Sequence, residues 1–443
     1  MRIGRTLPPA ATPIGPREIV SGVCGIFRGQ KEFDRFRSEL KEHFGVKHCF
    51  LVSSGKAAFT LILLALKELF PDRDEVLIPA FTCYSVPSSV VRAGLRIRLC
   101  DLRSESLDFD FAQLSTVLSE GSPPRADARS VGGAGKPPSE TRDAADRSGA
   151  SIKRILAVVP THLFGYPADV ARLRKLSRDP RVTIVEDAAQ AMGETREERK
   201  VGTLGDVSFF SLGRGKAFSV VEGGVILTNR EDIAEGLDRF VGRLPRYGVL
   251  PLLNLIFKAV ALMLLIHPRV FWVPRSLPFL KLGETPFETH FPILRMSSFQ
   301  AGLARNWRGR LEKLRDVRKK SVNRWISILE GSGTHGSKFL RKRSLGVLRF
   351  PLRVSDKKKR ESLLRESARM GLGIMPVYPT SIDAIPELKG KIDARAFPVA
   401  ESCARELVTL PTHGYLTEND VTELSRLIAR VYEDASKSTS FVE

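Results

Sequence analysis

Apolar runs and helical patterns alternate along the chain from residue 46 onward. Each run is short, is bounded by turn residues, and is typical of a strand buried in a sheet. The predicted strands are residues 48–54, 75–80, 96–102, 155–162, 182–187, 207–212 and 224–229, and helices are predicted at 56–70 and 86–93. Strands that alternate with helices indicate a mainly parallel, doubly wound α/β sheet, whose ligands bind beyond the carboxyl ends of the strands.

The regions around this sheet have different patterns. Residues 119–150 are rich in Gly, Pro, Ser and charge without apolar periodicity, which predicts a disordered insertion. The last third of the chain is helix-rich and basic, then mixed, which indicates a smaller α+β domain. The predicted organisation is an N-terminal arm at 1–45 that ends in an amphipathic helix at 30–43, a large domain at 46–235, an apolar insertion at 236–290 and a C-terminal domain at 291–443.

The most apolar stretch is residues 249–266, and its apolar character continues to residue 280. It approaches the length of a transmembrane helix, but Pro251 and Lys258 interrupt it, and a single pass would separate the two domains. Arginines and aromatic residues flank it, which suits the surface of an anionic membrane. Two interpretations stay open: peripheral membrane contact through 249–280, or a buried helix pair that contacts a second subunit.

Composition narrows the class of protein. The 443 residues are 42% apolar and 27% charged, as in soluble globular proteins. The five cysteines form no C-x-x-C pair and the seven histidines are scattered, so we assign no disulfide framework and no metal site. No apolar signal segment follows Met1, which favours a cytoplasmic location, peripheral on the inner membrane if the insertion binds lipid. The formal charge of +20 attracts anionic partners, but no nucleic-acid-binding signature accompanies it.

Three places along the chain carry candidate chemistry. Asp187 ends a predicted strand, at the ligand-binding edge of the sheet. Lys216 follows another predicted strand and lies among glycines that let the backbone approach a ligand. Residues 53–58, SSGKAA, form a strand-to-helix turn whose free N–H groups suit a phosphate. Taken singly, each has an ordinary alternative: a helix cap, a surface lysine and an N-cap turn.

Together these features resemble the DegT/StrS family of sugar aminotransferases, which depend on pyridoxal 5′-phosphate (PLP) and have the fold-type-I architecture. The resemblance extends over most of the chain, apart from the two interrupting segments. Its blocks are residues 44–66, 74–102, 158–193, 200–229, 294–303 and 397–421.

The resemblance implies a role for each candidate residue. Lys216 condenses with the cofactor aldehyde and relays protons, and Asp187 pairs with the pyridine nitrogen. Glu222, in a Glu-Gly-Gly turn, shapes the site. The other implied cofactor contacts are Gln190 over the ring, and Ser211, Gly55, Lys56 and Ala57 at the phosphate.

Three positions depart from the family pattern. Lys56 stands where a hydroxyl residue usually meets the phosphate, so a point charge replaces that hydroxyl. Cys83 stands where an aromatic residue usually stacks on the ring, so either the stack is thinner or Tyr84 supplies it. Ile293 replaces an asparagine that reaches the phosphate of the neighbouring subunit, and that contact is expected to be absent.

The function implied by the resemblance is transfer of an amino group from an amino-acid donor, expected to be glutamate, to a keto-sugar. The sugar is expected to be nucleotide-linked and to serve in surface polysaccharide precursor synthesis. A PLP cofactor and a homodimer are implied as well. The departures at positions 56, 83 and 293 keep a second function open, that of a non-catalytic or regulatory PLP-binding relative attached to the membrane surface.

Overall fold

The large domain is built on one seven-stranded sheet. The structure, a computed structural model, describes residues 3–119, 154–277, 283, 285–331, 344–392 and 395–438. The strands of this sheet are β1 (His48–Val52), β2 (Glu75–Pro79), β3 (Arg96–Cys100), β4 (Ile155–Val158), β5 (Thr183–Asp187), β6 (Val207–Ser211) and β7 (Gly224–Thr228). Their spatial order is β1-β7-β6-β5-β4-β2-β3, and only β7 runs antiparallel to its neighbours. The predicted mainly parallel α/β sheet is confirmed.

Helices cover both faces of the sheet, which explains why strands such as β2 and β5 are buried at every position. The helices of the large domain are α1 (Pro16–Arg28), α2 (Gln30–Phe44), α3 (Gly55–Leu69), α4 (Ser85–Arg92), α5 (Phe111–Ser119), α6 (Val170–Leu176) and α7 (Glu231–Gly242). Helix α5 ends at Ser119, so the first residue of the predicted disordered insertion is helical, and residues 120–150 lie outside the described residues.

Strands end earlier than the apolar pattern predicts. The run at 155–162 forms a strand only to Val158, because the chain then bends through Pro160 towards the end of β5. There Thr161 forms a single bridge with Asp187. The apolar residues past the strand ends therefore line the loops at the carboxyl edge of the sheet, where the candidate residues lie.

The N-terminal arm contains a helix that the sequence analysis missed. The predicted helix at 30–43 corresponds to α2, but α1 precedes it and packs on α10 (Ser298–Leu303). Gly22 and Gly25 of α1 lie against Gly302 of α10, so the two backbones are in contact. Glycine lowers helix propensity, which hides α1 in a pattern-based prediction, yet here it permits the close packing.

The C-terminal part is a small α+β domain. It has a three-stranded antiparallel sheet of β8 (Arg349–Arg353), β9 (Met375–Pro376) and β10 (Leu407–Pro411), in the order β8-β10-β9. Its helices are α11 (Trp307–Gly331), α12 (Lys357–Met370), α13 (Pro398–Glu406) and α14 (Glu418–Ser438). The buried Trp325 indole donates to the Pro411 carbonyl at 3.0 Å, which holds the long basic helix against this sheet.

The apolar insertion forms α8 (Val249–Leu265) and the short α9 (Trp272–Arg275). No helix within the described ranges combines the length and apolar character that a bilayer crossing requires. One side of α8 packs on the protein through Leu255 and Ala259, which are fully buried. The opposite side leaves Leu250 77% and Phe257 71% exposed, so α8 is apolar on its exposed side as well as on its buried side.

The contact between α1 and α10 generates a stability prediction. A Cβ added at Gly25 would lie 2.5 Å from the Ser298 carbonyl oxygen, and a backbone atom cannot move aside cheaply. We expect Gly25→Ala to lower the free energy of unfolding by about 1–3 kcal/mol, although alanine favours helix. Denaturant titration measures this. Gly242→Ala is the control, because a Cβ there meets no atom within 4 Å, and an equal loss in both variants would contradict the explanation.

Candidate active site

The last residue of β5, Asp187, is a buried carboxylate that lacks a counter-ion. Its side chain is 4% exposed, and its Oδ1 accepts from the Ala189 N–H at 3.1 Å. No arginine or lysine within the described residues forms an ion pair with it. Burial raises the pKa of Asp187 above its ordinary range, and the Ala189 N–H and the charge of Lys216 only partly offset that rise. The carboxylate is thus poised to gain from a cation that a ligand supplies.

The neighbouring Glu186, unlike Asp187, has several hydrogen-bond partners. The sequence analysis did not identify this residue. Its carboxylate accepts from three backbone N–H groups, those of Gly202, Leu204 and Gly205, at 2.9, 2.5 and 2.6 Å. It also lies 3.0 Å from Nε2 of the buried His162, whose Nδ1 accepts from a backbone N–H and therefore leaves the proton on Nε2. Burial alone would raise the pKa of Glu186, but these partners hold it below its ordinary value.

This network fixes the end of β5. Glu186 and Asp187 are adjacent in a strand and point to opposite faces of the sheet. The sequence signal for it was the acidic pair at a strand end, together with a histidine just past the neighbouring strand. Because the bonds of Glu186 reach the loop after β5 and the loop after β4, they position Asp187 without contacting a ligand.

Lys216 lies in the turn between β6 and β7 and belongs to the same site as Asp187. Strands β5 and β6 are parallel neighbours, so Asp187 and the turn that contains Lys216 lie at the same edge of the sheet, and the charge of Lys216 favours a lower pKa of Asp187. The backbone is held from both ends of the chain: the Lys216 carbonyl accepts from the Thr12 hydroxyl at 2.5 Å and from the Arg318 guanidinium at 3.3 Å. The side chain itself is half-buried, so its amine is accessible to a ligand in the site.

The turn before α3 is a helix start next to β6. Ser54 is the N-cap, and its Oγ accepts from the Ala57 N–H at 3.1 Å, so that N–H serves the cap. The N–H groups of Gly55 and Lys56 have no intrahelical acceptor. A Cβ on Gly55 would lie 2.9 Å from Cβ of Ser211, so the structure brings these two predicted phosphate residues together.

The side chain of Lys56 is directed elsewhere than predicted. Its amine forms an ion pair with Glu288 at 2.8 Å and lies 4.5 Å from the centre of the Phe291 ring. Glu288 lies at the end of the apolar insertion and Phe291 directly follows it, and both are over 200 residues away in sequence. Any contact of position 56 with a phosphate is thus expected from its backbone N–H rather than its charge.

Two of the residues expected around a cofactor ring, Tyr84 and Gln190, both contact Tyr378. The centre of the Tyr84 ring lies 6.4 Å from that of Tyr378, and the Tyr84 hydroxyl is hydrogen-bonded to the Thr380 hydroxyl at 2.6 Å. Gln190 donates to the Tyr378 hydroxyl at 3.2 Å. Tyr84 is buried and Cys83 is half-buried, and both alternatives for the stack on a cofactor ring stay open.

Two further positions are structural. The Glu222 backbone carbonyl accepts from the Gln300 side chain at 2.6 Å, and its carboxylate accepts from the Tyr247 hydroxyl at 3.4 Å. This ties the Glu-Gly-Gly turn to α10 and to the start of the insertion. Ile293 packs against the hydrophobic core and offers no polar group, as the departure from the family pattern predicts.

Together these residues fit a ligand that has a pyridine ring, an aldehyde and a phosphate. Asp187 lacks a cation and suits a protonated ring nitrogen, Lys216 offers an amine, and the start of α3 with Ser211 offers N–H and O–H donors to a phosphate. A ligand with a cationic end, an electrophilic carbon and an anionic end would match these three groups.

The Glu186 network generates a pH prediction. Because the folded-state pKa of Glu186 is lowered, its stabilisation is fully present above the ordinary value of about 4.5 and is lost as the pH falls through the folded value. We expect Glu186→Gln to cost about 3–5 kcal/mol of unfolding free energy at pH 7, and the difference from wild type to shrink below pH 4.5. Urea titrations across pH measure it. Glu418→Gln, at an exposed ion pair, is the control with little expected effect, and a pH-independent loss in Glu186→Gln would contradict the prediction.

Sequence comparison places the chain among known proteins. The model of the DegT/DnrJ/EryC1/StrS aminotransferase family matches residues 23–243 and 292–429, and the gap between them is the apolar insertion. GDP-perosamine synthase from Caulobacter vibrioides is 24% identical over 402 residues, which cover 87% of this chain and 86% of that protein. GDP-perosamine synthase from Vibrio cholerae is 28% identical over 205 residues, 46% of either protein. With this second relative, as with several others, the match spans only about half of the relative's length.

Structural comparison agrees with the sequence match. Spr1654 from Streptococcus pneumoniae, solved in a PLP form, has a TM-score of 0.69 at 19% identity, over 97% of this chain and 99% of that one. At this identity the likeness shows the shared fold. Because the family match covers most of the chain on both sides of the insertion, this protein belongs to the DegT/DnrJ/EryC1/StrS aminotransferase family.

Proposed function

We propose that this protein is a PLP-dependent aminotransferase that moves an amino group from an amino-acid donor, glutamate, to a nucleotide-linked keto-sugar. The observation that carries the proposal is the pairing of a half-buried lysine with a buried, cation-free carboxylate, Lys216 and Asp187. The named relatives, synthases of GDP-perosamine, support a nucleotide-linked sugar and a place in polysaccharide precursor synthesis.

Each residue has a task in this proposal. Bound PLP would supply an aldehyde that condenses with amines and a ring that accepts electrons. Asp187 holds the proton on the ring nitrogen, because a buried carboxylate gains most from a cation placed against it. Lys216 accepts and returns a proton at the carbon that carries the amino group. Ser211 and the Gly55 and Lys56 N–H groups hold the phosphate.

The first test is the site of covalent attachment. After incubation with PLP and borohydride reduction, we expect mass spectrometry to find a phosphopyridoxyl group on Lys216. Lys216→Ala should lose the label, and its amino-transfer rate should fall by about a hundredfold or more because the proton relay is removed. Lys56→Ala is the matched control and should keep the label, since its amine is bound to Glu288. Labelling of another lysine, or none, would refute the assignment.

We also propose a homodimer in the cytoplasm, and a membrane-binding face formed by α1 and α8. The helices are in contact, and each presents an apolar stripe at helical spacing. The stripe residues are exposed by 38–87%: Val20, Val23, Phe27, Val249, Leu250, Leu253, Phe257 and Leu264. This face of the protein is defined here as the α1/α8 face.

Charge favours an anionic lipid surface over a second copy of the chain. Residues 239–277 contain six cationic residues and no Asp or Glu. Four of the arginines, Arg239, Arg243, Arg246 and Arg269, are exposed. Two copies that met through this face would bring like charges together, whereas anionic headgroups pair with them.

Vesicle sedimentation tests this face. We expect wild type to bind vesicles that contain phosphatidylglycerol but not those of phosphatidylcholine alone. The double variant Leu253→Glu, Phe257→Glu should bind about tenfold more weakly or worse, because two apolar anchors are lost. Lys357→Glu, with the same change in net charge on the exposed start of α12, should bind as wild type does. Absence of wild-type binding would refute membrane contact, as would conversion of a dimer to a monomer by the double variant.

A further inference from the structure

The N-terminal arm is anchored on the C-terminal domain before it reaches the candidate active site. The Leu7 N–H donates to the Gly371 carbonyl at 2.8 Å, and Nε2 of the buried His413 donates to the Pro8 carbonyl at 2.7 Å. Leu7 is fully buried and Thr12 is 2% exposed. Because its backbone is buried and hydrogen-bonded, the arm holds Thr12 in a defined place.

That place is the backbone of Lys216. The Thr12 hydroxyl donates to the Lys216 carbonyl at 2.5 Å and accepts from the Arg318 guanidinium at 3.2 Å. The same guanidinium donates to the Lys216 carbonyl at 3.3 Å and to the Ala217 carbonyl at 2.9 Å. The family match begins at residue 23, so the resemblance assigns no role to Thr12.

The turn around Lys216 has weak local support. The Lys216 N–H donates to the Gly213 carbonyl at 3.3 Å, which is long for a backbone hydrogen bond. Gly215, directly before the lysine, has a φ of 69°, and glycine adopts many other conformations at similar cost. Since peptide groups are planar, the direction of the Lys216 carbonyl sets the ψ angle of this residue. The hydrogen bonds from Thr12 and Arg318 therefore hold a backbone that the turn alone does not fix.

Arg318 depends on the same oxygens. It is 3% exposed, and its partners in the described part of the chain are the Thr12 hydroxyl and the two carbonyls. Arg315, nearly one turn earlier on α11, pairs instead with the Glu194 carboxylate at 3.2 Å. A buried guanidinium is costly unless its N–H groups are bonded, so the Thr12 hydroxyl stabilises the arginine as well as the turn.

We propose that Thr12 is a positioning residue for Lys216. Its hydroxyl joins Arg318 to the Lys216 carbonyl and so fixes the direction in which the lysine side chain leaves the turn. This inference rests on the proposed role of Lys216 in amino transfer, and it assigns part of the active site to the N-terminal arm. A displacement of about 1 Å at a reacting group can cost about a hundredfold in rate.

Three variants test the proposal. Thr12→Val removes the hydroxyl and keeps the branched side chain, and Thr12→Ser restores the hydroxyl. Thr228→Val is the matched control, because Thr228 is 3% exposed, donates to the Asp206 carbonyl at 2.7 Å and accepts from the Arg230 N–H at 3.0 Å. Thr228 lies at the end of β7 that is remote from the turn. We expect both valine variants to fold and to lose a similar amount of thermal stability.

Hydrogen exchange of the protein without cofactor reports on the turn directly. We expect peptides that cover residues 212–221 to exchange about tenfold faster in Thr12→Val than in wild type, because the loss of a buried hydrogen bond favours local opening. The same peptides should exchange at the wild-type rate in Thr12→Ser and in Thr228→Val.

The second readout separates positioning from binding. We expect the initial rate at which PLP and borohydride label Lys216 to fall about tenfold in Thr12→Val, and kcat for amino transfer to fall about ten- to a hundredfold. The KM for glutamate should change little, since the proposal gives the hydroxyl no contact with the substrate. Thr12→Ser should recover the labelling rate and kcat, and Thr228→Val should keep both.

Unchanged exchange at residues 212–221 in Thr12→Val would overturn the inference. So would faster exchange with an unchanged labelling rate and kcat, because the hydroxyl would then hold the turn without positioning the amine. Equal changes in Thr228→Val would also overturn it, since they would indicate a general loss of stability. If wild type takes up no PLP, the proposed function fails, and hydrogen exchange still decides whether Thr12 holds the turn.

Discussion

A buried carboxylate without a cation is the constraint on which the site depends. Asp187 and Glu186 are neighbours on one strand, yet within the described part of the chain Glu186 accepts from three backbone N–H groups while Asp187 accepts from one. The difference follows from the alternation of a β-strand, which points one acid into a loop network and the other towards the ligand edge. The fold tolerates the desolvated acid because its neighbour holds the strand end rigid, and the free energy lost there is recovered when a cationic group binds.

The sheet could be predicted from the sequence, and Asp187 and Lys216 could be picked out as candidates, because both steps depend on local patterns. Apolar runs place β5 and β6, and the order of strand, acid and lysine recurs within one family. The exact strand ends were less predictable, since β4 stops where its chain bends towards Asp187. Helix α1 was not predicted because its glycines weaken a helical pattern, although they make the contact with α10 possible.

Side-chain partners across long sequence separations were beyond prediction. Lys56 was expected at a phosphate, but Glu288 binds its amine from a segment 232 residues later. Tyr84 was one of two alternatives for a ring stack, and its contact with Tyr378 comes from the C-terminal domain. Such contacts depend on how domains meet, which local periodicity does not encode.

The two hydrogen bonds to the Lys216 carbonyl have a consequence for folding during synthesis. This carbonyl is held by Thr12 and by Arg318, a fully buried residue of α11 whose pKa burial lowers to about 10. A chain still emerging from the ribosome contains Lys216 and Asp187 about a hundred positions before it contains Arg318. During synthesis the Lys216 carbonyl can therefore be held by Thr12 alone, and its second hydrogen bond forms only after the ribosome has translated α11.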